Sequence, residues 1–259
     1  MGYILLAFLS MVSFGIYYFV VKLLSVHITS PIIAIVCNAV ALLVIISYAF
    51  FTRTSIIPRR RINVVRSVLV AIPISIGIIL VCVIVFLLHN VSAQLALWPL
   101  YSGYFQPWQL VSYAFLHGGF NHLFFNMFAV WMFGLPVERM WGSRRFAEFF
   151  FVCVLGAGLI QLLVQYISGN IYPTIGASGA VFGLLLAYGV MWPNNKLMLI
   201  FFPVPIKAKW FVQIYGGVEL IFVVTGAMPQ VAHYAHLGGL FFGAGLLWRW
   251  GWRPGMTWS

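Results

Sequence analysis

The chain contains no aspartate, and its only acidic residues are Glu138, Glu148 and Glu219. A triad completed by aspartate is therefore excluded. Charged residues make up 7% of the 259, against about 25% in an ordinary soluble domain. So few charges cannot cover a water-facing surface, which excludes a soluble protein and leaves an integral membrane one. The three cysteines, Cys37, Cys82 and Cys153, lie scattered inside apolar runs. That spacing forms neither a disulfide framework nor a metal knuckle and reads as packing. The first residues, MGYILLAFLS, lack a basic n-region, so no signal peptide is expected there.

What the chain has in quantity is apolar: 63% of its residues are hydrophobic and 18% aromatic. Windows of about 17–25 residues suit the hydrocarbon thickness. They fall near 3–24, 31–51, 66–88, 119–136, 145–167, 177–192, 208–225 and 232–250. The expected fold is all-α, a polytopic membrane helix bundle of eight spans. The first two form a hairpin domain, 1–57, followed by a six-span core, 58–259. Thirteen of the fourteen lysines and arginines follow spans two, four, six and eight; Lys22 is the exception. The positive-inside rule makes that face, with both termini, cytoplasmic. The net charge of +11 is thus a topology signal, and nucleic-acid binding is not expected, since the cations are spread over short loops.

The polar residues converge at the opposite side. HGGFNHLFFN carries His117, His122 and Asn126, GASGA carries Ser178, and VAHYAHLGG carries His233 and His236. Spans four, six and eight run in the same direction, and each places these residues in its first turns. At about 1.5 Å per residue they reach one level, a little below the outer surface. Gly179 and Gly183 share one face of span six, and Gly239 and Gly243 share one face of span eight. Small-xxx-small faces allow close helix approach. If these faces meet, the Ser178 hydroxyl comes within reach of the His236 imidazole, the activation a nucleophile needs. Ser178 also opens a helix, where free N–H groups favour an anion. His122 and Asn126 share a face of span four and can both donate to an oxyanion.

Other readings attach to the same residues. A lone serine in a span more often caps or bonds the backbone. An intramembrane histidine defaults to function. His117 reads as bonding across the outer loop, and His233 as solvated or supporting. Glu219 is open: protonated, bonded to a neighbour, or part of a polar path. A two-residue Ser–His arrangement is favoured over one oriented by Glu219. A proton-coupled transporter or channel is one rival class, but nothing resembles paired broken helices. A metalloenzyme built on His117, His122, His233 and His236 is another, with no acidic ligand or H-E-x-x-H nearby.

With HGGFNHLFFN (117–126), VERMWGSRRF (137–146), GASGAVFG (176–183) and AHLGGLFFG (235–243) in this order, the chain resembles the rhomboid intramembrane serine proteases over roughly residues 60–250. The resemblance implies Ser178 as nucleophile and His236 as base. It implies His122, Asn126 and the Ser178 N–H as oxyanion donors. Gly176, Gly179, His117 and Gly239 support the site. Substrates would be membrane-spanning proteins cut near the outer edge of the bilayer, with no metal or other cofactor. The expected location is a bacterial plasma membrane, with the active site toward the outer face. Two departures stand out: Trp108-Gln109 replaces the frequent Trp-Arg of the outer loop, and Phe182 replaces a frequent tyrosine. A non-catalytic rhomboid relative that binds membrane clients is the alternative within the family.

Overall fold

The structure, a computed structural model, describes residues 73–88, 92–199, 202–226, 228 and 231–252. The spans expected near 3–24 and 31–51, and so the hairpin 1–57, lie outside the described residues. All the described residues fall in the unit Val68–Ser259.

Helices dominate. They are α1 (Ile74–Leu87), α2 (Ser92–Leu95), α3 (Gln109–Ser112), α4 (Phe120–Ala129), α5 (Leu135–Trp141), α6 (Ser143–Ser168), α7 (Ser178–Met191), α8 (Ala208–Thr225) and α9 (His233–Arg249). A one-turn π segment, Val130–Gly134, joins α4 to α5 into a single rod, Phe120–Trp141. The six described expected spans all contain a helix. One feature departs from an all-α fold: β1 (Lys196–Leu199) and β2 (Phe202–Lys207) form an antiparallel hairpin between α7 and α8.

Among the described residues three helices are long and apolar enough to cross a bilayer, Phe120–Trp141, Ser143–Ser168 and Ala208–Thr225, with 22, 26 and 18 residues. The helices inside the expected spans 66–88 and 177–192 are shorter, at 14 residues each. A helix of that length rises only about 21 Å, less than the roughly 30 Å hydrocarbon core. The short α7 therefore begins among its neighbours. Irregular backbone at such depth is tolerated where protein buries it.

The core gathers around α6, where Phe146, Phe149, Phe150 and Cys153 are wholly buried. On its outer side Leu159, Leu163 and Ile167 are exposed, as are Ile214, Ile221 and Val224 on α8. Such continuous apolar faces suit lipid as solvent. The free Cys82 and Cys153 are buried, in keeping with a packing role.

Two buried polar side chains hold the frame. Glu138 on α5 accepts from the backbone N–H groups of Ile74 at 2.7 Å and Ser75 at 2.8 Å, and from the Ser143 hydroxyl at 2.6 Å. It supplies the negative charge and acceptors that the first turn of α1 lacks. Gln109 occupies the place of the frequent loop arginine and is almost wholly buried. Its Oε1 accepts from the N–H groups of Trp98 and Gln106, and its Nε2 donates to the carbonyls of Gln94 and Tyr104. A neutral amide thus ties the loop before α4 at four points without a buried charge.

Candidate active site

The first turn of α7 sets the site. Ser178 follows a tight approach in which Gly176 has φ +118° and its N–H donates to the Tyr113 carbonyl at 2.9 Å. The first bond within α7 runs from Val181 to Ala177. The amide N–H groups of Ser178, Gly179 and Ala180 therefore precede it and point out of the helix end. The N-cap position is held by Ala177, so the Ser178 hydroxyl does not stand where a capping side chain would. It lies 2.7 Å from His236 Nε2 instead, which removes the capping reading.

Glycines bring the two side chains together. A Cβ on Gly239 would strike the carbonyl of Gly179, and one on Gly183 would lie 3.2 Å from the Gly239 carbonyl. The small faces of α7 and α9 meet as their spacing predicts, with backbone against backbone. Under the imidazole, the Phe182 ring stacks on His236 with centroids 4.5 Å apart and planes 14° apart. Phenylalanine keeps the ring contact expected of a tyrosine there.

Across the serine, α4 contributes His122, with Asn126 one turn further along the same helix. The Gly118 N–H donates to His122 Nδ1 at 3.3 Å. A nitrogen that accepts carries no proton, so in the neutral ring the proton sits on Nε2. That Nε2 lies beside Gly176, 2.7 Å from where a Cβ would stand, with Ser178 Oγ 3.7 Å from the same point. The buried Asn126 donates through Nδ2 to the His122 carbonyl at 2.8 Å, leaving its second N–H.

His117 departs from its expected role. Neither ring nitrogen makes a well-formed hydrogen bond, and the polar group beside the ring is the neighbouring Phe115 backbone, not a group across the loop. The edge of the ring meets His122 instead, centroids 5.0 Å apart. Burial pushes the His117 imidazole down to about 4, and the neighbouring His122 adds to this.

Two residues take a larger part than their sequence positions suggest. His233 is buried, not solvated, and its Nδ1 lies 2.6 Å from Glu219 Oε2. The other Glu219 oxygen, Oε1, lies 3.0 Å from His236 Nδ1. The sequence clue was one carboxylate inside an apolar span, a costly placement that needs a partner. An acidic group therefore does stand beside two histidines, contrary to the expectation of none. The three donor atoms lie within 4.8 Å of one another. Donors sharing a tetrahedral ion at about 2.0–2.1 Å sit more than about 3 Å apart. The 2.6 Å pair is a direct hydrogen bond.

A hydroxyl facing an imidazole nitrogen, beside free N–H donors at a buried helix end, defines the class: a membrane helix bundle carrying a Ser–His nucleophile geometry. The Rhomboid domain family model matches residues 104–253. The chain belongs to the rhomboid family. It is 32% identical over 148 residues to the rhomboid protease GluP of Bacillus subtilis, covering 54% of this chain and 26% of that one. It is 30% identical over 183 residues to the rhomboid protease GlpG of Serratia proteamaculans, covering 66% and 60%. It is 30% identical over 145 residues to the mitochondrial rhomboid protein 1 of Saccharomyces cerevisiae, covering 52% and 39%. The matches span between about a quarter and three fifths of these relatives' own lengths.

Proposed function

We propose that the protein is an intramembrane serine endopeptidase that hydrolyses peptide bonds of membrane-spanning proteins near the outer edge of the bilayer. The observation that carries the reading is the 2.7 Å contact between Ser178 Oγ and His236 Nε2. Two relatives bear the name of rhomboid proteases, which points the same way.

In this reading His236 Nε2 takes the hydroxyl proton as Ser178 Oγ attacks the scissile carbonyl carbon. The negative charge then forming on the carbonyl oxygen meets the Ser178 N–H, the His122 Nε2–H and the free N–H of Asn126. The tetrahedral intermediate collapses, the C–N bond breaks, and His236 returns the proton to the leaving amine. Water, deprotonated by His236, then hydrolyses the acyl-serine. A helical substrate hides its carbonyls in i to i−4 bonds, so it must unwind before attack. The domain division 1–57 and 58–259, a bacterial plasma membrane and cytoplasmic termini belong to this proposal.

The test is labelling with a serine-reactive fluorophosphonate, beside cleavage of a model single-span substrate, in wild type and Ser178→Ala. Wild type should label and cleave in the presence of EDTA, and a folded Ser178→Ala protein should do neither. Cleavage surviving in that variant would end the serine-protease reading. A folded wild type that neither labels nor cleaves any single-span protein would favour the client-binding relative.

A further inference from the structure

We propose that Glu219, gripped by His233, is a positioning residue that sets the tautomer and orientation of His236, so that the site works as a Ser178–His236–Glu219 relay and not as a pair. The inference rests on the serine-protease reading of the same site.

The evidence is a chain of contacts linking α8 to α7 through α9. Glu219 lies on α8 and is buried, as are His233 and His236. His233 Nε2 lies 3.1 Å from the carbonyl of Met228, a group that only accepts, so that nitrogen carries a proton. His233 Nδ1 meets Glu219 Oε2 at 2.6 Å. One proton is shared along that contact. It sits either on an imidazolium facing a carboxylate or on the acid facing a neutral ring. In both cases Glu219 Oε1 remains an acceptor, and Oε1 is the atom 3.0 Å from His236 Nδ1.

An acceptor beside Nδ1 holds the ring proton there and leaves Nε2 bare toward the Ser178 hydroxyl at 2.7 Å. That is the tautomer a base requires; the reverse one would present an N–H to the serine. When Nε2 takes the hydroxyl proton, the same oxygen faces the resulting cation. Oε1 lies off the direction of the ring N–H, so Nδ1 has no aligned hydrogen-bond partner. A buried polar group left in this way is costly, and the proposed relay requires the Glu219 carboxylate to turn until it is aligned. His233 keeps that carboxylate in reach, and Phe182 stacks against the ring.

The groups facing His236 are Ser178 from α7, Glu219 from α8, His233 on its own helix and His122 from α4 beyond the serine. Of the side chains that α6 brings near α9, Ala157, Ile160 and Phe149 do not titrate, and the Cys153 thiol lies against Gly243, two turns along α9 from His236.

The experiment measures kcat, KM and the pH profile for a single-span substrate in wild type, Glu219→Gln, Glu219→Asp, His233→Gln and Ser178→Ala. A glutamine can turn its N–H₂ toward Nδ1 and force the wrong tautomer. Glu219→Gln should lose about 10- to 1,000-fold in kcat, below the roughly 10⁴-fold loss for the aligned aspartate of a soluble triad. KM should stay within about twofold. The acid limb of the profile should move to lower pH, because the acceptor that favours the charged ring has gone. Glu219→Asp should recover part of the kcat, and His233→Gln should lose less than Glu219→Gln. A folded Glu219→Gln protein with wild-type kcat and acid limb overturns the proposal, as does a loss confined to KM. If Glu219→Gln does not fold, His233→Gln decides: wild-type kcat with an unmoved acid limb overturns the relay, and a lowered kcat with a moved limb supports it. Activity in Ser178→Ala would instead remove the protease reading beneath it.

Discussion

Gly176 carries two constraints at once. Its φ of +118° is a conformation that side chains rarely adopt, and the His122 imidazole stands where its Cβ would be. Gly176→Ala should therefore strain the turn by about 1–3 kcal/mol and push His122 away from Ser178. Cleavage should fall by about 10- to 100-fold, the scale of a weakened oxyanion donor, with a lower melting temperature in detergent. An alanine variant with full kcat would show that His122 does not need this place. Spacing alone puts His122 and Asn126 on one helix face, because residues i and i+4 share it, and it sets Ser178 and His236 beside the glycine faces that meet. His117 could not be read so well: spacing puts it near His122 but does not say that its ring packs edge-on there without a well-formed hydrogen bond.

At the scale of elements, the α7–α9 contact decides whether the site exists. Gly239 has no room for a methyl group against the Gly179 carbonyl, whereas Gly245 on the same helix has open space around its Cβ position. Gly239→Ala should separate the helices, costing both stability and cleavage. Gly245→Ala should leave cleavage intact and gain up to about 1 kcal/mol from helix propensity. Thermal unfolding and substrate cleavage measured on both variants check this; equal behaviour would rule out the close approach as the cause. The small-xxx-small spacing made this contact legible. The β1–β2 hairpin was not, since four to six residues of mixed pattern between α7 and α8 give no periodic signal. The brevity of α7 was legible, since the apolar window 177–192 matches Ser178–Met191 to one residue at each end.

Across the whole molecule, charge and site sit at opposite ends of shared helices. His236 stands in the first turn of α9 and Arg249 at its end, while Ser178 opens α7 and Lys196 follows its close. With cations held inside, a C-terminal green fluorescent protein fusion should fluoresce and a C-terminal alkaline phosphatase fusion should be inactive. Phosphatase activity there would reverse the proposed orientation and move the site to the inner face.

The sequence by itself determined the solvent and the cast: too few charges for water, a helix in each described apolar span, and a serine and histidine on glycine-lined faces. Those properties are local, carried by composition and by helical period. Only the tertiary structure decided that Glu219 reaches both His233 and His236, and that Gln109 ties the loop before α4 with four hydrogen bonds. Such contacts depend on how one helix or loop crosses another at depth, and a one-dimensional pattern of apolar residues leaves that crossing free.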